Sequence, residues 1–265
     1  MKICMMSSPR KNVVDEIKFA GENGFHGIEL AFEQPKLTPD QALNSSKQIL
    51  DSFSSYNLVR IAHVQTFVNI CDLYEGIRKA VVAEVVKAMN AARSLGVGFL
   101  TIHPGFLTPM TSGEKAFEKS VESIGELLKV AEELDLTIGV ENMPSGFPPM
   151  RGYFSKVNEF KELFSRLSSS KLRFVLDVAH TVFRDSSSSH DFISEFYGRT
   201  MHVHLSDNLG ERDDHLPLGV GKVGYKDAIM ELRGRGYSGT LTLEVFAEDR
   251  DFLLLSKKKV EELLA

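Results

Sequence analysis

The stretch MHVHLSD at positions 201–207, followed closely by DDH at 213–215, decides how the chain is interpreted. Side chains two residues apart on a strand point to the same side, so His202 and His204 share one face of a predicted strand. A cluster of imidazoles and carboxylates is costly to bury unless its members are paired or bind something. This strand therefore predicts a ligand site, provided that the fold brings similar residues to the same place.

Around this strand, short apolar strands alternate with amphipathic helices eight times. The predicted strands cover residues 2–6, 27–31, 59–63, 99–103, 137–141, 172–177, 200–205 and 239–244. Three apolar runs, 99–102, 138–140 and 174–176, are typical of strands buried on both faces. Eight alternations without a break in composition predict an α/β protein, a single parallel (β/α)8 TIM barrel over residues 1–265. The alternative is a doubly wound open sheet, but no glycine-rich phosphate loop follows the first strand.

Capping residues mark the helix boundaries. The predicted helices cover residues 12–23, 38–56, 75–95, 111–134, 155–166, 191–196, 225–235 and 251–264. Asn12 is predicted to cap the first of them, and Gly24 and Gly96 to follow helix ends. TPDQ at 38–41 and the pair Thr111 and Glu114 predict capping boxes.

Composition indicates which classes of protein fit the chain. The chain has 265 residues, of which 43% are hydrophobic, enough for the core of a barrel. Its net charge of −5 gives no overall basic surface for nucleic acid, although a local patch on an acidic protein can still bind DNA. Cys4 and Cys71 form no pairing pattern, which predicts a reducing, cytoplasmic setting. We expect neither a signal peptide nor a membrane partner, since no apolar run is long enough for either.

Polar residues fall at the carboxyl ends of six consecutive predicted strands, where parallel barrels place their active sites. The nine residues are His63, His103, Glu141, Asp177, His180, His204, Asp213, His215 and Glu244. Imidazole and carboxylate without thiolate suit zinc, manganese, cobalt or iron. Nine potential ligands exceed the needs of one ion, so we expect one to three divalent ions, with zinc or manganese the leading candidates.

Individual members of this set have simpler explanations. His103 before Pro104 and Gly105 also fits a hydrogen-bonded turn. His202 points inward one layer below His204 and is expected to be a core histidine or to orient a ligand. Glu29 faces the barrel interior near its top, where it would orient a ligand histidine, touch substrate or make a plain buried hydrogen bond.

Taken in order, the motifs resemble the xylose-isomerase-like barrel superfamily. That superfamily includes sugar isomerases and epimerases and also the endonuclease IV type of abasic-site (AP) endonuclease. The motifs that carry the resemblance are His63, HPG at 103–105, EN at 141–142, DVAH at 177–180, HLSD at 204–207, DDH at 213–215, GVG at 219–221 and Glu244. The similarity covers essentially the whole chain.

Similarity to the isomerase and epimerase branch implies a site for one divalent ion. Its ligands would be Glu141, Asp177, His204 and Glu244. The two glutamates would flank the substrate carbon as acid and base, while His180 and an arginine, for which Arg212 is the candidate, would bind substrate oxygens. The leading hypothesis is a metal-dependent isomerase or epimerase of a small sugar or polyol, working by proton transfer through an enediolate.

Similarity to the endonuclease branch implies a three-zinc cluster, and this chain keeps a matching residue type at all nine positions. The alternative hypothesis is therefore a trinuclear-zinc hydrolase of abasic DNA, the only case in which a nucleic-acid partner is expected. Thr66 stands where those nucleases usually carry a tyrosine, and the acidic loop 207–214 holds one arginine where a phosphate backbone would favour several. The opening loop 7–11 also lacks the glycine-rich sequence of the nucleases. A metal-binding module without turnover remains a third possibility.

The loop at 142–151 is long and proline-rich. It fits either a semi-rigid wall over the rim or an ordinary surface connection. In the first case Phe147, Met150 and Arg151 would contact substrate.

Overall fold

The computed structural model describes residues 1–108, 112–146 and 151–265. Thr111, Phe147 and Met150, together with the side chain of Arg151, lie outside this description, and so do the roles predicted for them. No helix in these three ranges is both long and apolar enough to cross a bilayer.

Ten strands occur in the described ranges. They are β1 (Lys2–Met6), β2 (Gly27–Ala31), β3 (Val59–His63), β4 (Phe99–Ile102), β5 (Phe106–Leu107), β6 (Thr137–Glu141), β7 (Arg151–Gly152), β8 (Leu172–Asp177), β9 (Thr200–Leu205) and β10 (Thr240–Leu243). Eight of them close into a parallel barrel in the order β1-β2-β3-β4-β6-β8-β9-β10, and β5 pairs antiparallel with β7. The predicted (β/α)8 barrel is confirmed.

Helices follow the barrel strands. They are α1 (Val13–Glu22), α2 (Pro39–Asn44), α3 (Ser46–Ser54), α4 (Glu75–Ser94), α5 (Gly113–Glu133), α6 (Val157–Arg166), α7 (Ser189–Phe196), α8 (Tyr225–Gly234) and α9 (Asp251–Leu264). A short 3-10 helix, Ala179–Val182, follows β8. The main hydrophobic core lies between these helices and the barrel.

Capping explains most of the helix boundaries. The Asn12 side chain accepts a hydrogen bond from the Val14 N–H, and Thr38 and Gln41 form the predicted capping box. The single helix predicted over 38–56 is wrong, because α2 and α3 are separated at Ser45. The Ser45 hydroxyl donates to the Gln41 carbonyl at 2.5 Å, a local bond that competes with the helical ladder.

The barrel interior changes from apolar to polar towards the carboxyl ends of the strands. A small apolar cluster consists of Cys4, Ile61, Phe99 and Val175. Gly139 makes room for it, because a Cβ there would clash with the Phe99 ring. Nearer the carboxyl ends lie Glu29, Thr101 and His202, which are fully buried and which we call the lower polar layer. The nine predicted ligands, called the rim ligands, come next.

Candidate active site

A cavity of about 540 Å³ opens at the carboxyl ends of the barrel strands. Seven of the nine rim ligands line it: His63, His103, Glu141, His180, Asp213, His215 and Glu244. The other two, Asp177 and His204, are fully buried behind them. The convergence that the strand order predicted is therefore present, although these residues are spread over more than half of the sequence.

Glu141, at the end of β6, lies at the centre of the cluster. Its Oε2 is 3.3 Å from His63 Nε2 and 3.2 Å from His103 Nε2, and its Oε1 is 3.1 Å from His204 Nδ1. Since the carboxylate is almost completely buried, it depends on these imidazoles, or on cations in their place, for its counter-charge. One carboxylate thus connects two groups of potential ligands.

Three rim histidines share one orientation. Nδ1 of His63, His103 and His180 lies 2.7, 3.1 and 2.6 Å from the carbonyl oxygens of Val64, Thr66 and Asn142 respectively. A carbonyl can only accept, so each Nδ1 carries the proton and each Nε2 is directed at a carboxylate. A histidine that ligates a metal is commonly held in this way by its other ring nitrogen.

His204 is held in the opposite orientation. Its Nε2 faces the two oxygens of Glu29, at 3.2 and 3.1 Å, and its Nδ1 faces the rim. Nδ1 lies 3.1 Å from Glu141 Oε1, 3.4 Å from Glu244 Oε2 and 4.0 Å from Asp177 Oδ2. The potential ligand atoms of this four-residue group all lie within 4.8 Å of one another.

The donor set fits a divalent cation. Among the described residues, Asp177 Oδ2 is buried without a hydrogen-bond partner. An unpaired buried carboxylate oxygen is costly, and a cation held by Glu141, Asp177, His204 and Glu244 would satisfy it. Three carboxylates and one imidazole are ligand types that zinc and manganese accept.

Two further groups of potential ligands flank this one. His63, His103 and Glu141 form the first. In the second, Asp213 Oδ2 lies 2.9 Å from His180 Nε2 and 3.2 Å from His215 Nε2. Asp213 Oδ1 and His215 Nδ1 are buried without a hydrogen bond in the described part of the chain, although His215 Nδ1 lies 3.8 Å from Glu244 Oε1. The rim thus offers room for more than one ion.

The two glutamates of the four-residue group have opposite pKa shifts. Burial alone would raise the pKa of Glu141, but His204, His103 and His63 hold it well below its usual range. At Glu244, burial raises the pKa to about 7, against the lowering effect of His215 and His204 and with a further rise from Glu141. In the metal-free site, Glu141 therefore holds its proton much less tightly than Glu244 does. Two carboxyl groups whose pKa values are pushed apart in this way are suited to act as a base and an acid.

Glu29 lies beneath the rim. Its carboxylate accepts hydrogen bonds from His202 Nε2 at 2.7 Å and from the Thr101 hydroxyl at 2.9 Å, in addition to facing His204. It is fully buried and does not line the cavity. The expected contact of Glu29 with substrate is therefore not supported. Glu29 instead has the other role considered for it, which is to orient His204.

The structure does not bring Arg212 to the cavity, which corrects its expected contact with substrate oxygens. Its side chain is 78% exposed, and its Nε lies 3.6 Å from Asp214 Oδ1. The reason is the path of the loop after β9, which turns back at the bridge between Asp207 and Leu216 and leaves Arg212 on the outside. Of the predicted substrate-binding residues, His180 does line the cavity.

Two supporting residues, Asn142 and Asp207, entered the sequence analysis only as members of motifs, with no structural role assigned to them. The Asn142 amide donates to the Asp177 carbonyl and accepts from the Asp177 N–H, at 2.9 and 2.8 Å, which ties the ends of β6 and β8 together. Asp207 accepts from the N–H groups of Gly219 and Val223, at 2.7 and 2.9 Å, which closes the loop that carries Asp213 and His215. The sequence signal that could have identified this interaction is Asp207 itself, an acidic residue that lies shortly after a strand and before the GVG sequence at 219–221.

Comparison with known proteins agrees with this architecture. The family model described as xylose isomerase-like TIM barrel matches residues 17–264. Fructoselysine 3-epimerase of Escherichia coli O157:H7 is 24% identical over 238 residues, which cover 85% of this chain and 82% of that protein. A crystal structure of a D-tagatose 3-epimerase-like protein has a TM-score of 0.83 at 21% identity and covers 100% of this chain and 97% of the other. A structure of the IolI protein with a zinc atom has a TM-score of 0.80 at 17% identity and covers 100% and 98%. The chain therefore belongs to the xylose isomerase-like TIM barrel family.

Proposed function

We propose that this protein is a divalent-metal-dependent epimerase or isomerase of a small sugar. The observation that carries the proposal is the pair Glu141 and Glu244. Their carboxylates lie 3.1 and 3.4 Å from the same nitrogen of His204 and have opposite pKa shifts. The name of the fructoselysine 3-epimerase relative supports the same chemistry, as do the epimerase-like neighbours in structure.

The metal would be held by Glu141, Asp177, His204 and Glu244. When bound, a divalent cation supplies Lewis acidity that makes a C–H next to a carbonyl easier to deprotonate. Glu29 fixes the orientation of His204 through its Nε2 and leaves Nδ1 for the ion. Zinc in the structure of the IolI protein supports zinc as one candidate, with manganese as the other.

Proton transfer falls to the two glutamates. Glu141 is ionised and would remove the proton from the carbon between a carbonyl and a hydroxyl group, leaving an enediolate. Glu244, whose Oε2 lies 3.4 Å from the same His204 nitrogen, would return a proton. Return to the opposite face of the same carbon inverts its configuration, and return to the neighbouring carbon isomerises the sugar. His180, on the cavity wall, would bind a substrate oxygen through Nε2, the nitrogen that faces Asp213 in the structure.

Solvent exchange tests this proposal directly. The protein, loaded with Mn²⁺ or Zn²⁺, is incubated in D₂O with D-fructose, D-tagatose and D-psicose, and deuterium at the carbon next to the carbonyl is measured by NMR. We expect exchange with at least one ketose, abolished in Glu141→Gln and retained in Glu211→Gln, an exposed glutamate of the loop after β9. Exchange with none of these sugars, in a protein shown to be folded and loaded, would overturn the proposal.

A second candidate function is metal-dependent cleavage of DNA at abasic sites. The observation that favours it is the presence of all nine rim ligands in three adjoining groups. Against it, the described lining of the cavity includes neither lysine nor arginine, which a phosphate backbone would favour. Elemental analysis and incubation with an abasic-site duplex separate the two functions. Three zinc ions per chain, together with cleavage that a chelator and His103→Ala both abolish, would favour the nuclease.

A further inference from the structure

A second cavity, of about 480 Å³, adjoins the first. It lies between the loop that follows β1 and the loop that follows β10. Met6, Pro9 and Phe246 line both cavities and form the wall between them. A ligand that passes this wall would therefore occupy the metal-ligand rim and the second cavity at the same time.

The two cavities differ in charge. The described lining of the first holds carboxylates and imidazoles without lysine or arginine, whereas Arg10, Lys11 and Arg250 line the second. Arg250 is already engaged, because it pairs with the buried carboxylate of Glu16 and lies 4.1 Å from the centre of the Phe19 ring. The remaining cations of the second cavity are therefore Arg10 and Lys11.

Arg10 and Lys11 lack a counter-charge of their own. In the described ranges, no carboxylate lies within ion-pair distance of either side chain. Glu248 is the other acid in the lining, and its side chain is exposed. Partial burial and the nearby Arg250 lower the pKa of the Lys11 amino group. A bound anion would remove this repulsion.

We propose that the second cavity binds an anionic group, a phosphate or a carboxylate, at the far end of the substrate whose reacting carbon lies between Glu141 and Glu244. This assignment rests on the proposed function, because it places the two ends of one sugar derivative. The carbon chain between them would pass along Met6, Pro9 and Phe246. Charge-assisted hydrogen bonds from Arg10 and Lys11 would hold the anion.

The size of the first cavity distinguishes neutral from anionic sugars as substrates. The first cavity, at about 540 Å³, is within the range that holds a small ligand by itself, so an unsubstituted ketohexose has no need of the second. An anionic substituent is what the second cavity would select. The protein should therefore prefer an acidic sugar over its neutral parent.

Matched ketoses and matched lysine variants test this preference. Binding of D-fructose, D-fructose 6-phosphate and D-fructuronate to the metal-loaded protein is measured by calorimetric titration, and deuterium exchange is recorded with the same three compounds. We expect the wild type to bind one of the acidic ketoses more tightly than D-fructose. Lys11→Glu should reduce this preference about tenfold or more, which is the effect of one charge-assisted hydrogen bond.

The controls lie on the same part of the chain. Lys18→Glu reverses a charge on α1 where the side chain is 62% exposed and pairs with Glu22, so we expect it to leave the preference unchanged. Arg10→Ala repeats the test at an exposed position if Lys11→Glu fails to fold. The phosphate and carboxylate compounds show which anion the cavity prefers.

The two readouts separate this proposal from the proposed function. Equal binding of neutral and acidic ketoses, or a preference that Lys11→Glu and Arg10→Ala leave intact, overturns the anion site even if D-fructose exchanges deuterium. A preference that depends on Lys11, without exchange in any of the three compounds, supports the anion site and counts against the epimerase. Loss of the preference in Lys18→Glu as well would overturn the assignment to the second cavity.

Discussion

The lower polar layer and the rim are built from the same residue types but differ in how their polar atoms are satisfied. In the lower layer, Glu29 accepts from His202, His204 and Thr101, and His202 Nδ1 lies 2.5 Å from the Thr240 hydroxyl. At the rim, three buried atoms of ionisable side chains lack a hydrogen bond among the described residues. They are Asp177 Oδ2, Asp213 Oδ1 and His215 Nδ1. The charged groups of the lower polar layer are therefore hydrogen-bonded within the protein, whereas rim atoms next to them along the barrel axis would be satisfied by a bound ligand.

Chemistry should depend on the rim far more than on any other part of the barrel. Glu141→Gln removes the proposed base and a ligand shared by two groups, so we expect deuterium exchange to fall by about a thousandfold or more. Bound metal, measured by elemental analysis, should fall as well. Because Gln has almost the same shape, the circular dichroism spectrum should match that of the wild type. Full exchange in Glu141→Gln would remove Glu141 from the mechanism.

The lower polar layer should matter for stability even without metal. Glu29→Gln leaves His202 and His204 without their buried anion, so we expect the free energy of unfolding of the metal-free protein to fall by about 3 kcal/mol. Since Gln no longer holds His204 as a carboxylate does, metal affinity should also fall, by about 10- to 100-fold. Urea unfolding and competition with a chelator measure the two effects. If metal-free Glu29→Gln is as stable as the metal-free wild type, the lower polar layer does not contribute to the stability of the fold.

The pH dependence of the metal-free protein follows from the rim histidines. Burial lowers the pKa of His215, but Glu244 and Asp213 outweigh it and raise the pKa to about 9. The pKa values of His180 and His204 are also raised, in spite of burial, by the neighbouring carboxylates. A raised folded-state pKa contributes stability that is complete below the unfolded value of about 6.5 and is lost as pH rises through the folded value.

Metal-free protein should therefore lose stability between pH 6.5 and about 9, with a Tm lower by several degrees at the upper end. His103 and His202, whose pKa values are lowered, mainly by burial, oppose this loss only near pH 6.5, where the unfolded histidines are still partly protonated, and not at the upper end of the range. With metal bound, His204 is already neutral and the cation disfavours protonation of the nearby His180 and His215, so the fall should be smaller. Scanning calorimetry with and without a chelator compares the two forms. Parallel curves would contradict a metal site built on these histidines.

Sequence patterns predicted the barrel well, because strand boundaries depend on local signals. The strands at 2–6, 27–31, 59–63, 137–141 and 172–177 match the structure, and each is a short run rich in apolar residues. The convergence of the rim ligands was predictable for a related reason. Once the strands close into a barrel, their carboxyl ends meet whatever their separation in sequence.

Loop geometry was not predictable in the same way. The position of Arg212 depends on the bridge between Asp207 and Leu216, and the loop that carries His215 depends on bonds from Asp207 to Gly219 and Val223. These contacts join residues that no local pattern pairs. The second cavity likewise exists only where the loops after β1 and β10 come together, at opposite ends of the chain.

The smallest expected effect is also the one that best separates the two layers. Asp177→Asn keeps the oxygen that accepts the His180 N–H but replaces the unpartnered Oδ2 with an uncharged amide group that can donate. Burial raises the pKa of Asp177, because removing the carboxylate from water disfavours its charge in the folded metal-free protein. We therefore expect Asp177→Asn to stabilise the metal-free protein by about 1 to 2 kcal/mol in urea unfolding, while it weakens metal binding. The opposite signs expected for Glu29→Gln and Asp177→Asn follow from the hydrogen bonds that Glu29 accepts and from their absence at Asp177 Oδ2 among the described residues, where the ring nitrogens of His180 and His204 lie 3.8 and 4.0 Å away. If both variants destabilise the metal-free protein equally, the rim is an ordinary polar core and the case for a bound cation at Asp177 falls.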